Sequence, residues 1–487
     1  MNLDDARKKI DAIDDEIKRL FIERMDIVAQ VTEIKRHSGT AVLDKNRENA
    51  IISRVTQNET ADTSEQLRLL FSAMFDISRS YQNKRLKFDY GLIGHPLSHS
   101  YSGKIHEIIG KYRYDLIDLT ADKLDEFMRR REFIGINVTI PYKQAVIEYC
   151  DVVSETAKRI GSVNTIYKRD GILYGDNTDY KGFEYMLNGL AMSGKKIIIF
   201  GSGGTSLTAQ AVACDRKAAE ITVISRTGKY NYNNLDLNRN AEIIINTTPI
   251  GMYPNCGVSL INLDNFPDCE TVIDVIYNPL KTKLLLDAER RGIRNINGLP
   301  MLAAQAVYAA ELFTGESFGN DLIEKIHSGL IFEMGNIVLI GMPGCGKTAV
   351  GKALAELLGR EFADTDEWIE TSENIPVPDI ITSRGEAVFR ELEHKAAAEL
   401  GKRSGLVIAT GGGIVLREDN LDLLRQNGTV IWLRRPIAML ETSGRPLSGD
   451  LNELYKKRKS LYRKYCDFTV ENTQTIQEAI NIIRGNL

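Results

Sequence analysis

The sequence predicts a multidomain protein: an all-α segment of three helices, then two α/β segments, the second opening on a phosphate-binding loop. Three observations carry that prediction. A chain of 487 residues exceeds what one hydrophobic core normally serves. At Asp89 the texture changes from charged stretches with helical spacing to short β-rich runs alternating with helices, a pattern that predicts a parallel sheet. The β-rich pattern then starts afresh at Gly335 with "NIVLIG", followed at once by "MPGCGKT". With 43% hydrophobic residues, a net charge of −4 and a mean hydropathy of −0.21, the chain is expected to be soluble. Nothing in that balance attracts nucleic acid or anionic membranes, so anionic ligands must be met by local cations. The start "MNLDDARKKID" has no apolar signal core, and no stretch approaches the roughly 18–20 apolar residues of a membrane span. A cytoplasmic location is the expectation. Six dispersed cysteines without a CxxC pair predict isolated buried thiols rather than disulfides or structural zinc.

Residues 1–86 contain no proline and repeat apolar positions at helical spacing: Ile10, Ile13, Ile17, Leu20, Phe21, Met25, Val28, Val31. One long helix is predicted to about Lys35, a second over Lys45–Gln57, and a third over Ser64–Arg85. Basic residues lie among the apolar faces, and such charge is usually a solvated helix surface. The fuller set of Arg7, Arg24, Lys35, Asp44, Arg47, Glu48, Ser78 and Gln82 resembles, in order and spacing, the all-helical chorismate mutase family. The resemblance implies that Arg7, Arg24 and Arg47 take the substrate carboxylates, with Asp44 and Ser78 completing the site. Lys35 and Gln82 would address the ether oxygen, and Glu48 the hydroxyl. It also implies a homodimer through these helices, Arg7 coming from the partner chain. A non-catalytic dimerisation or effector-sensing module is the alternative reading of the segment.

In the middle segment "KKIIIFGSGGTSLTAQAVA" puts Gly201, Gly203, Gly204 and Thr205 at a strand-to-helix turn. About twenty residues on, an NAD site would offer an acidic residue to the ribose; this chain offers Ser225, Arg226 and Thr227, which suit the 2′-phosphate of NADP. In order come "GHPLSHSYSGK", "GINVTIPYKQAV", "GSVNTI", "GDNTDYKGF", "INTTPIGM", "DVIYNPLKTKLL" and "NGLPMLAAQA". Together these resemble shikimate dehydrogenase. The resemblance implies a pocket of Ser100, Ser102, Asn137, Thr139, Asn164, Tyr277 and Gln305. It pairs Lys143 with Asp179 as the catalytic groups and puts Gly298 beside the cofactor. Gly103 stands where relatives usually carry proline. His95, His99 and His106 lack metal-ligand spacing and are read as structural.

In the last segment Gly341, Gly344 and Gly346 with Lys347 and Thr348 follow a predicted strand and open a predicted helix, which makes a nucleoside triphosphate site. Lys347 would meet the β/γ-phosphates and the Thr348 hydroxyl a Mg²⁺. "FADTD" sets Asp364 and Asp366 at the end of the next strand. "FRELE", "ATGGGIV", "GRPL" and "KKRKSLYRKY" follow, and the whole resembles shikimate kinase. The resemblance implies that Asp366, Arg390, Gly411, Gly412, Gly413 and Arg458 hold shikimate, with Asp366 orienting the accepting hydroxyl or taking its proton. Asp364 would hold a magnesium-bound water, and Arg445 would come from a lid. The segment "ETSG" is short for such a lid. The expected domains are 1–88, 89–331 (substrate-binding about 89–190 and 295–331, NADP-binding about 191–294) and 332–487. The leading reading is a trifunctional enzyme using NADP(H), ATP and Mg²⁺ on small-molecule substrates; a quinate preference in the middle domain is the other alternative.

Overall fold

The computed structural model describes residues 2–38, 45–85, 89–97, 100–440 and 451–487, the side chains of 33–38 and 83–85 excepted. Asp44, His99, Arg445, the "ETSG" stretch and the Lys35 side chain therefore lie outside the described residues. The chain forms two compact units. One holds residues 1–157, 162–176 and 312–315, the other 158–161, 177–311 and 316–487.

The first unit begins with helices α1 (Leu3–Ser38), α2 (Lys45–Thr56) and α3 (Ala61–Arg85). The last starts three residues before its predicted position because Thr60 Oγ1 accepts the Thr63 N–H at 3.2 Å and caps it. A sheet follows, built from β1 (Tyr90–Gly94), β2 (Tyr114–Asp118), β3 (Gly135–Val138), β4 (Val152–Val153), β5 (Thr165–Arg169) and β6 (Ile172–Asp176), in the order β2-β1-β3-β5-β6-β4. It is mixed, which corrects the expectation of a parallel sheet. β5 runs antiparallel to both β3 and β6. The β5–β6 hairpin turns on Asp170 and Gly171, whose φ values of 51° and 81° are those of a two-residue primed turn.

The second unit holds two parallel sheets. One contains β7 (Lys196–Phe200), β8 (Glu220–Ile224), β9 (Ile243–Asn246), β10 (Thr271–Asp274) and β11 (Arg294–Ile296), ordered β11-β10-β9-β7-β8. Its strands are apolar on both faces, as a sheet covered by helices on each side requires. Ile197, Ile199, Ile243 and Ile245 pack with Phe183 and Val212, whereas Ile198, Phe200 and Ile244 pack with Leu284 and Leu285. The other sheet contains β12 (Asn336–Ile340), β13 (Phe362–Asp364), β14 (Val407–Ala409), β15 (Gly428–Arg434) and β16 (Phe468–Glu471), ordered β13-β14-β12-β15-β16. The helix Gly319–Met334 runs through the expected limit at 331/332 and ends at Gly335, where the β-rich pattern of the sequence starts afresh. All six cysteines are free, but only Cys269 and Cys345 are buried and Cys214 is exposed, which corrects the expectation of uniformly buried thiols.

Candidate active sites

The glycine loop connects β12 to the helix Lys347–Leu358 and forms one wall of a cavity of about 650 Å³. Across that cavity stand Asp364, Asp366, Arg390, Gly411, Gly412, Gly413 and Arg458, so the loop and the predicted acceptor residues share one space. The Thr348 hydroxyl donates to Asp364 Oδ2 at 2.9 Å, and Asp364 Oδ1 accepts the Asp366 N–H at 2.9 Å to cap the helix Thr365–Glu373. Lys347 Nζ is buried and donates to the carbonyls of Gly341 and Met342, each at 3.0 Å.

Asp366 faces the cavity with Oδ1 shielded from solvent and without a partner among the described residues. Burial pushes its pKa up to about 7; Asp364 and Glu393 add repulsion, and Lys347 opposes it. Glu393, 1% exposed, is a site residue that sequence reasoning missed. It accepts from Arg390 Nη1 at 2.8 Å, while its Oε1 also lacks a partner among the described residues. Gly411 is required here, because a Cβ would lie 2.9 Å from both Asp366 Oδ1 and Glu393 Oε1. Arg458 donates to the Gly412 carbonyl at 3.1 Å, and Tyr462, also missed, donates to the same oxygen at 2.6 Å. Arg435 and Asn472 also line the cavity and were missed as well. Asn472 Nδ2 donates to the Cys345 carbonyl at 2.8 Å. The "FRELE" spacing was the one available signal for Glu393, since residues three apart on a helix meet.

Between the N-terminal helices lies a second cavity, of about 630 Å³, lined by Arg24, Arg47, Glu48, Ser78, Gln82 and the unpredicted Arg79. Arg24 Nη1 donates to Ser78 Oγ at 2.5 Å, and burial lowers the Arg24 pKa. Arg79 forms ion pairs with Glu48 and Asp76. Arg7 is not among the lining residues. It is exposed and 3.8 Å from Asp4, so one chain brings together Arg24, Arg47, Glu48, Ser78 and Gln82 without it.

The predicted dehydrogenase residues fall in both units. In the first, Ser102 opens the helix Ser102–Ile109, and its N–H donates to Ser100 Oγ at 3.3 Å. Asn137, on β3, accepts from the Tyr114 hydroxyl at 2.7 Å and donates to Thr165 Oγ1 at 3.0 Å. The Asn164 Oδ1 accepts from the same threonine at 3.1 Å. The Thr139 N–H donates to the Ile93 carbonyl at 2.9 Å, and the Lys143 carbonyl accepts from Val163 at 2.8 Å. His106 is buried and stacked 3.7 Å from Tyr114, and burial lowers its pKa to about 3. It is thus a neutral structural ring. His95 pairs with Asp118, and no metal-binding cluster occurs among the described residues.

In the second unit Asp179 is buried in the first turn of the helix Thr178–Met186, which Asn177 caps. The backbone of Gln305, on the helix Leu299–Thr314, lies close to Gly182 of the helix Thr178–Met186. Gly201 closes the turn after β7, and Gly203, Gly204 and Thr205 lead into the helix Gly204–Asp215. Ser225, Arg226 and Thr227 follow the adjacent strand β8, with Arg226 exposed. Both groups thus sit at the carboxyl ends of neighbouring parallel strands, where nucleotide sites form in such sheets. Tyr277 follows β10, and the Gly298 N–H donates to the adjoining Ile276 carbonyl at 3.0 Å. A Cβ at Gly298 would collide with the Val275 carbonyl.

Three family models match in order: chorismate mutase type II over residues 6–83, the shikimate dehydrogenase substrate binding domain over 92–166, and shikimate kinase over 343–484. A shikimate dehydrogenase (NADP(+)) of Clostridium beijerinckii is 37% identical over 267 residues, covering 50% of this chain and 97% of the relative. One from Methanococcus maripaludis is 36% identical over 257 residues, covering 46% and 91%. Among solved structures, a chorismate mutase/shikimate 5-dehydrogenase fusion protein from Clostridium acetobutylicum is 33% identical, with a TM-score of 0.47, covering 50% of this chain and 97% of that one.

Proposed function

The chain belongs to the shikimate dehydrogenase family through its middle half and carries a chorismate mutase domain before it and a shikimate kinase domain after it, and from that premise we propose a role for each group of side chains. The three activities are rearrangement of chorismate to prephenate, NADPH-dependent reduction of 3-dehydroshikimate to shikimate, and phosphorylation of shikimate to shikimate 3-phosphate. Domain limits of 1–88, 89–334 and 335–487 accord with the end of the helix at Met334.

In the kinase, ATP supplies the phosphoryl group. The glycine loop and Lys347 would hold its phosphates, while the Thr348 hydroxyl would hold Mg²⁺ and Asp364 a magnesium-bound water; a neighbouring hydroxyl and carboxylate are oxygen donors that suit a hard cation. Arg390 and Arg458 bind the substrate carboxylate. Asp366 takes the proton of the attacking hydroxyl, a role its raised pKa suits near neutral pH. Arg445 is assigned to the phosphates on the family resemblance alone.

In the dehydrogenase, NADPH supplies hydride. The Lys143 ammonium delivers the proton to the carbonyl oxygen, with Asp179 orienting it. Ser100, Ser102, Asn137, Thr139, Asn164, Tyr277 and Gln305 hold the acid. Gly201, Gly203, Gly204, Thr205 and Gly298 receive the dinucleotide, and Ser225, Arg226 and Thr227 its 2′-phosphate.

In the mutase no covalent step falls to the protein. Cationic side chains clamp the dianion in a compact conformer and stabilise charge on the breaking ether bond. Arg24, Arg47, Glu48, Ser78 and Gln82, joined in one cavity, support catalysis over a purely dimerising role. Lys35 and Asp44 complete the set, and Arg7 comes from the second chain of a homodimer. No described helix is long and apolar enough to cross a membrane.

The observation that carries the whole is the cavity in which the phosphate loop faces Asp366, Arg390 and Arg458. The test is a three-part assay on the purified intact chain: chorismate loss, NADPH oxidation with 3-dehydroshikimate, and ADP release with shikimate. A chain that lacks any one of these rates above background refutes that domain's assignment.

A further inference from the structure

The helix Lys283–Arg290, which packs on the NADP-binding sheet, meets the helix Glu418–Arg425 of the kinase. Asp422, only 8% exposed, is shared by two cations from the other side: Lys283 at 3.4 Å and Arg290. One turn along, Glu289 accepts Lys281 at 2.9 Å and lies 3.6 Å from Arg425 of the kinase.

Beside the charges runs a set of backbone hydrogen bonds. The Leu280 N–H donates to Asn427 Oδ1 and the Lys281 N–H to the Gln426 carbonyl, each at 2.8 Å. Asn427 is 3% exposed, and its own carbonyl accepts the N–H of Asn336, the first residue of β12, at 2.7 Å. β12 is the strand that delivers the phosphate loop. On the other side the Leu280 carbonyl accepts from Asn297 Nδ2 at 2.9 Å, next to Gly298. At the covalent junction the Arg360 guanidinium lies 4.6 Å over the Phe332 ring of the helix Gly319–Met334, which falls in the same compact unit as both halves.

We propose that the kinase and the NADP-binding half are one cooperative body, so that a ligand bound by either half stabilises the other. This rests on the NADP and shikimate kinase assignments above. A carboxylate shared by two cations and a buried asparagine accepting a backbone N–H make a specific seat, not a loose tether. The two halves also fall together in one compact unit. When a ligand binds only the folded form of a cooperative unit, every amide that exchanges through opening of that unit is protected by the same factor. The coupling is also reciprocal.

Hydrogen exchange of the full-length chain, with and without NADP⁺ at 100 times its Kd, tests the proposal. The slowest amides of β9 are expected to slow by about 100-fold, and those of β12 and β15 by a comparable factor. In the reciprocal arm, ADP with shikimate protects β9 as well as β12. Asp422→Lys, which sets a cation against Lys283 and Arg290, abolishes the transfer of protection in both directions. Unchanged ADP release in that variant shows that its kinase is folded; should it fail to fold, Arg290→Glu repeats the test from the other side. Protection of β9 by NADP⁺ with β12 and β15 unchanged in the native chain overturns the coupling alone. If NADP⁺ protects neither half, the cofactor assignment fails instead, and the ADP–shikimate arm decides the coupling: protection confined to the kinase overturns it.

Discussion

The Thr348 hydroxyl and the Asp364 carboxylate meet at 2.9 Å, joining the first turn after the phosphate loop to the end of the strand β13. Asp364 has two oxygens with two tasks: Oδ2 faces Thr348, while Oδ1 caps the following helix through the Asp366 N–H. Asp364→Asn retains a capping oxygen but loses the charge that a divalent cation needs. Shikimate phosphorylation is therefore expected to fall by on the order of 100- to 1,000-fold, with a higher Mg²⁺ requirement. A Mg²⁺ titration of ADP release reads both effects, and 3-dehydroshikimate reduction by the same sample serves as the internal control. A normal Mg²⁺ optimum in the variant would remove Asp364 from the metal's surroundings.

Asp366 should set the pH dependence of the kinase. Its carboxyl, raised by burial to about 7, holds its proton in the folded chain where an exposed carboxyl has already lost one. The base form accumulates only above that value, so kcat/KM for shikimate is expected to rise with pH and level off past about 7. Stability moves the opposite way. The folded state binds more protons than the unfolded one between the ordinary carboxylate pKa and about 7, so this group's contribution is full at low pH and fades as pH rises through that window. Asp366→Asn is thus expected to raise the unfolding temperature at neutral pH while cutting turnover by about 100- to 10,000-fold. A variant that is no more stable, or a flat pH profile in the native chain, contradicts this account.

These two aspartates also mark how far the sequence could be read. Gly341 to Thr348 was legible because the loop's function is local: glycines, a lysine and a hydroxyl within eight consecutive residues. Asp364 and Asp366 followed from their place at the end of a strand. Tyr462 did not, because its partner Gly412 is brought near by tertiary packing that no spacing encodes, and Glu393 showed only its helical spacing to Arg390, not its place against Gly411. Asp170-Gly171 is a different case. The dipeptide is a strong hairpin signal lying between two strands, yet the alternation of strands and helices around it favoured a parallel reading. Arg79 was hidden by its own chemistry, since one more arginine on a charged helix looks like solvated surface until Glu48 is seen beside it. Asp422 was invisible for a related reason: both of its partner cations belong to another domain.

Arg226 tests the choice of cofactor. It follows β8, exposed and one strand over from the glycine turn that would receive the pyrophosphate. A guanidinium–phosphate contact contributes roughly what other hydrogen bonds to charged groups do, so Arg226→Ala is expected to weaken NADP⁺ by about 10- to 100-fold. NAD⁺, which lacks the 2′-phosphate, should bind the variant as it binds the native chain. Titration of both cofactors against both proteins gives the comparison. An equal loss for the two cofactors would move the contact elsewhere on the dinucleotide.

The N-terminal helices carry the test of assembly. Ile10, Ile13 and Ile17 on α1 are 55%, 59% and 57% exposed, at the three- and four-residue spacing that makes one continuous apolar stripe. A single chain leaves that stripe in water, and patches of this kind mark interaction surfaces. Arg7 lies on the same helix, outside the cavity that holds Arg24 and Gln82. If a second chain covers the stripe and brings its Arg7 to that cavity, dimerisation and mutase activity stand or fall together. Ile13→Glu with Ile17→Glu is then expected to give a monomer by sedimentation and to remove chorismate turnover, while NADPH oxidation and ADP release persist. A monomer that still rearranges chorismate at the native rate would show that one chain completes the site, and a dimer that survives both charges would place the interface on another surface.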